Sequence, residues 1–126
     1  MGAMNTSCST QSRLSKTDIK IAAGELRTFA AASILLVEQS AAGNTTDLFF
    51  LSQAELLKKK IRSTQATLDG NAGEFEGKRS AALEAAVTMS DVLEQMQADG
   101  HPSQKAEAGL TSIGGDLKTI EDQLKE

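Results

Sequence analysis

The sequence predicts an all-α protein that folds as an antiparallel, up-down-up-down four-helix bundle. Its 126 residues are 40% apolar, with a single proline and no tryptophan or tyrosine. This composition suits helices better than strands. In four segments the apolar residues recur at spacings of 3 and 4, which is typical of a helix with one packed face. The connections between the segments are short, and short connections place consecutive helices antiparallel.

The first helix is predicted over residues 15–42. Ser15 and Asp18 form a capping pair at its start, and Gly43 with Asn44 ends it. Its inward stripe is predicted to be Ile19, Ala22, Leu26, Phe29, Ser33 and Leu36.

The second helix is predicted over residues 47–68, and its start has two possible positions. Thr46 can cap it, which is the start we favour; alternatively, Ser52 and Glu55 form a capping box that leaves the preceding DLFFL as a loop. Its predicted stripe is Leu51, Ala54, Leu57, Ile61, Thr64 and Leu68.

The third helix is predicted to begin at Asn71, which with Glu74 forms an N-cap signature, and to run to about residue 98. Gly100 and Pro102 then mark its end. Its predicted inward residues are Phe75, Ala82, Ala86, Met89, Leu93 and Met96.

The fourth helix is predicted over residues 103–124. Its seam continues through Gly114 and Gly115, which predicts one continuous helix, bent or closely packed at that point. The seam consists of Leu110, Ile113, Leu117, Ile120 and Leu124. Residues 1–14 are predicted to be a vector remnant, MGAM, followed by a flexible tail, so residues 15–126 form a single bundle domain.

The chain carries few of the residues that catalysis requires, so we expect a protein that is not an enzyme and binds no cofactor or metal. His101 is the single histidine and lies in a predicted turn. The chain has no E-x-x-H motif, and AGEFEGKRS lacks both the first glycine and the final Ser/Thr of a P-loop. A net charge of −4 and a pI near 5.0 argue against nucleic-acid binding. The basic run KKKIR is predicted to cover a solvated helix face.

A candidate contact surface is the run LFFL at residues 48–51. Neighbours in a helix point about 100° apart, so four large apolar residues in a row cannot all face one core. Leu48, Phe49 and Phe50, with His101 at the same end of the bundle, are therefore candidates for contact with a partner protein or a second copy. The alternative is that the two phenylalanines plug the end of the bundle.

The single cysteine, Cys8, lies in SCSTQS, which resembles the Ser-rich tether that follows the lipid-bearing cysteine of bacterial lipoproteins. The resemblance implies a lipid on Cys8 and attachment to a membrane through that lipid alone. Asn5 departs from the pattern, because a lipobox places leucine there. The alternatives are a free thiol in a tail and an intermolecular disulfide.

These patterns predict a structural or interaction protein, which in a tethered, lipoprotein-like form would present its distal loops to a partner. The cell envelope or periplasm is favoured over the cytoplasm. Two other functions stay open: an extracytoplasmic, ligand-binding sensor bundle of a receptor, and a cytosolic helical adaptor.

Overall fold

The computed structural model describes residues 13–125, and within them the chain forms the predicted up-down-up-down four-helix bundle. The helices are α1 (Lys16–Ala41), α2 (Asp47–Thr67), α3 (Glu76–Asp99) and α4 (Gln104–Gln123). Each helix packs on the next, α4 closes the ring by the most extensive contact on α1, and α1 also contacts α3 across the diagonal.

Side-chain caps fix three of the four helix starts. Ser15 and Asp18 form the predicted capping box of α1, with reciprocal hydrogen bonds of 3.1 and 2.9 Å. The Thr46 hydroxyl accepts from the amide of Phe49 at 3.0 Å, so the earlier of the two predicted starts of α2 is correct. Ser103 caps α4 by accepting from the amide of Ala106 at 2.9 Å.

The predicted N-cap of the third helix is wrong. The Asn71 side chain accepts instead from the amide of Gly73, two residues ahead, at 2.9 Å. Gly73 has φ of 56°, a left-handed conformation that breaks a right-handed helix at this point. A short 3₁₀ turn, Gly73–Phe75, therefore precedes α3, which starts at Glu76 without a side-chain cap.

The core of the bundle is built from the predicted seams. Ser33 is buried on α1, where its hydroxyl donates to the Phe29 carbonyl at 2.8 Å. Phe29, Leu51 and Phe75 are only partly buried and pack against the core from its edge. Helix α4 runs unbroken through Gly114, where a Cβ atom added to the glycine would lie 3.9 Å from that of Ala30 on α1, so the two helices approach closely there.

The two ends of the bundle differ in what they carry. The proximal end holds the start of α1, the α2–α3 connection and the end of α4; there the amide of Leu14 donates to the Asn71 carbonyl at 2.7 Å. The distal end holds the α1–α2 loop, residues 48–51 and the turn at Gly100, which adopts φ of 82° as the C-cap of α3. The described chain therefore enters the bundle at the end opposite the candidate contact surface.

Candidate functional site

The four residues of LFFL occupy four different environments at the distal end. Leu48 is 75% exposed and Phe49 is 48% exposed, whereas Phe50 is 1% exposed and belongs to the core. Leu51 is partly buried against the core. Phe50 is thus corrected from a candidate contact residue to a core residue, because its position on α2 points inward along the line of Ala54 and Leu57.

Phe49 lies at the edge of a surface groove between α1 and α2. The groove has a volume of about 310 Å³. Two further exposed leucines line it: Leu35 on α1 is 55% exposed and Leu56 on α2 is 43% exposed. The remaining lining is Ala32, Leu36, Gln39, Thr45, Gln53, Leu57 and Lys60. Leu35, Phe49 and Leu56 therefore form an apolar cluster on one side of the distal half of the bundle.

A second groove of about 300 Å³ continues the first toward the proximal end. Lys60 lines both grooves, and Glu25 lines the second one. The Thr64 hydroxyl donates to Glu25 Oε1 at 3.0 Å, which places Glu25 at the level of Thr64. We call the surface formed by the two grooves the α1–α2 face. Among residues 13–125, Glu25 and Lys60 are the only charged residues in its lining.

His101 lies apart from this cluster. Its ring is exposed on the turn between α3 and α4, and its Nδ1 atom is 3.0 Å from the carbonyl oxygen of Pro102. The lining of the α1–α2 face does not include His101. The histidine therefore lies at the predicted end of the bundle, but it does not line the groove that contains Phe49. Cys8 lies outside the described residues.

The basic run on α2 is not wholly solvated, which corrects its interpretation as an exposed face. Lys58 is buried, and its Nζ atom lies 3.5 Å from Glu55 Oε1 and 3.9 Å from Glu94 Oε1. A hydrogen bond from Gln97 and the nearby Lys58 ammonium lower the pKa of Glu55. Gln97 also donates to the Leu51 carbonyl at 3.3 Å, so these polar groups hold α2 against α3.

A third groove, between α2 and α3, has a volume of about 530 Å³ and a mixed lining that includes the apolar side chains of Leu83 and Val87. Its charged residues are all exposed: Arg62, Asp69, Asp91 and Glu94. Ser90 also lines it, and its hydroxyl oxygen is buried without a hydrogen-bond partner. The groove is thus open to solvent, and its lining includes both acidic and basic side chains.

Two carboxyl groups meet between α1 and α4 near the distal end. A hydrogen bond with Glu38, together with burial and the Glu38 charge, raises the pKa of Glu107 above its usual value. Within residues 13–125, no group of three or more His, Cys, Asp or Glu side chains has the arrangement of a metal site. No helix of this part of the chain is long and apolar enough to cross a membrane.

The sequence reasoning missed Leu35 and Leu56, although a signal for them exists. Six residues of α2 that line the α1–α2 face recur at helical intervals: Phe49, Gln53, Leu56, Lys60, Ser63 and Thr67. Their spacing of 4, 3, 4, 3 and 4 matches a second packed stripe beside the core seam. On α1, the exposed Ile21 and Leu35 lie two heptads apart on one side of the helix.

Searches against family models, curated proteins and solved structures return no match to this chain, so its function is inferred from the surface described above.

Proposed function

We propose that this protein is a non-enzymatic interaction protein, a rigid helical bundle that binds a protein partner through its α1–α2 face. The observation that carries the proposal is the exposed cluster of Leu35, Phe49 and Leu56 beside one another on that face. Contiguous exposed apolar side chains commonly mark interaction sites, because water is released when a partner covers them. A helical surface is the natural occupant, since the groove runs between two helices.

The charged residues of the face indicate which kind of helical surface is complementary to it. The distal groove contains one charged residue, Lys60, and otherwise neutral polar groups such as Gln39 and Gln53. A partner helix with an apolar stripe and a carboxylate opposite Lys60 complements this lining. Acidic residues of the bundle, which give the chain its net charge of −4, lie mostly away from this groove.

Site-specific photo-crosslinking in the source cell tests the proposal. Benzoylphenylalanine replaces Phe49 in one variant and Thr88, an exposed residue of α3, in the control. We expect a discrete adduct from position 49 that position 88 does not give. The crosslinked protein is then purified, and its binding should weaken at least about tenfold in the Leu35→Asp variant. If position 49 gives no adduct beyond that of position 88, the face is not a contact surface.

The proposal extends to a tether at the proximal end, in the cell envelope. The chain enters the bundle there, through the hydrogen bond between Leu14 and Asn71, so a lipid on Cys8 would leave the distal half of the α1–α2 face pointing away from the membrane. Membrane fractionation of the protein in the source cell tests this with Cys8→Ser. We expect the wild-type protein in the membrane fraction and the variant in the soluble fraction. Equal partition of the two proteins would contradict a lipid anchor.

A ligand-binding sensor would have to hold its ligand in a pocket, and the candidate pocket is the groove between α2 and α3. That groove is open, and its four charged residues are exposed and solvated. Ligand sites in proteins enclose most of the surface of their ligand and offer few, well-placed polar groups. The geometry thus favours a protein-interaction surface over a small-molecule sensor.

A further inference from the structure

We infer that the partner covering the α1–α2 face is a second copy of this chain, in a dimer whose two-fold axis runs parallel to the helices. This inference rests on the proposed function, because it names the occupant of the same face. In this arrangement α1 of one copy packs on α2 of the other. The two copies then point the same way, with both distal ends together.

Charge complementarity is the first argument for a second copy. The two grooves of the face contain one acid, Glu25 on α1, and one base, Lys60 on α2. Glu25 lies at the level of Thr64, to which it is hydrogen-bonded, and Lys60 is one helical turn from Thr64. A two-fold axis along the helices sets α1 opposite α2 at the same level. Glu25 of each copy therefore comes within one helical turn of Lys60 of the other, a gap that a lysine side chain can span. Because the lining of the face carries one charge of each sign, two copies of it are electrostatically complementary.

The positions of the apolar residues support the same axis. Leu35 on α1 and Leu56 on α2 line one groove, so they lie at similar levels of the bundle. Turning one copy about an axis parallel to the helices brings Leu35 of each copy onto Leu56 of the other. It also gives each α1 an antiparallel neighbour from the second copy, which is how consecutive helices already pack within the bundle.

The size of the face suits a reversible dimer. Residues 21–39 of α1 span about 27 Å, and two adjacent helices are about 20 Å wide, so each copy offers roughly 500 Å². The resulting total of about 1,000 Å² is near the lower limit for specific protein interfaces. Ile21, 57% exposed, extends the contact toward the proximal end. We therefore expect a dimer that dissociates on dilution.

Sedimentation equilibrium of the full chain tests the inference, in a Cys8→Ser background that removes intermolecular disulfides. We expect Glu25→Lys and Lys60→Glu each to raise the dimer dissociation constant about tenfold or more, since each change sets like charges opposite one another at both contacts. An equimolar mixture of the two variants should regain the wild-type constant, because each contact then pairs a lysine with a glutamate. This rescue also shows that both variants are folded.

Two charge-matched controls lie on other parts of the bundle: Glu84→Lys on α3 and Lys105→Glu on α4, both outside the lining of the α1–α2 face. These should leave the dissociation constant unchanged. A wild-type chain that stays monomeric up to millimolar concentration, or a mixture that shows no recovery, overturns the dimer.

The photo-crosslinking experiment distinguishes failure of the dimer inference from failure of the proposed function. An adduct of twice the chain mass at position 49 supports the dimer, and an adduct with a different protein leaves the proposed function standing while it overturns the dimer. No adduct at position 49 overturns both.

Discussion

Phe49 and Phe50 are neighbours of the same type whose surroundings differ completely. One residue of helix rotates a side chain by about 100°, which turns Phe49 into the surface groove and Phe50 into the core. The two rings therefore have different roles: Phe50 stabilises the core of the bundle, and Phe49 is exposed for the contact that we propose.

This difference predicts unequal effects of the same truncation. Phe50→Ala should lower the free energy of unfolding by about 3–5 kcal/mol, because it empties a fully buried site. Phe49→Ala should lower it by less than about 1 kcal/mol, because the ring is already half exposed. Urea denaturation of the two variants measures both values. Similar losses in the two variants would mean that Phe49 also belongs to the core.

At the scale of the helices, the spacing of apolar residues was enough to predict all four elements. The seams on α2 and α4 lie where their spacing of 3 and 4 predicts them, and the predicted hydroxyl cap at Thr46 is confirmed. These features depend on residues close in sequence, so local patterns determine them.

Features that depend on contact between helices were harder to predict. Lys58 lies four residues after Ala54 and three before Ile61, so its inward position follows from the helical period. Two carboxylates lie near its ammonium: Glu55, three residues earlier on the same helix, could be paired with Lys58 from sequence, whereas Glu94 comes from α3 and could not. The same holds for the apolar cluster of the α1–α2 face, since Leu35 and Leu56 come together only when α1 packs on α2.

At the scale of the whole molecule, the carboxyl pair between α1 and α4 links stability to pH. The raised pKa of Glu107 means that the folded bundle holds this proton more tightly than the unfolded chain does. The folded state therefore gains stability from this pair as pH falls through the raised pKa toward the usual value. It loses that contribution as pH rises, because the two carboxylates then repel each other.

Glu107→Gln should remove this dependence, since a glutamine carries no charge at any pH. We expect the variant to melt at a higher temperature than wild type at neutral pH, and the difference to shrink as pH falls through the raised pKa. Thermal melts of both proteins across the acidic range measure it. As a control, Glu84→Gln changes a carboxyl elsewhere on the bundle and should give no such convergence. A constant difference between Glu107→Gln and wild type would contradict the interaction with Glu38.

The closing contact of α4 on α1 also bears on how the chain folds. It is the most extensive contact of the bundle, yet it joins the helices most distant in sequence. The three pairs of consecutive helices can form by closing short loops. In contrast, α1 and α4 can pack on each other only after the chain between them has become compact. Ring closure is therefore expected to set the folding rate. A circular permutant that links α4 directly to α1 would turn the slowest contact into a local one.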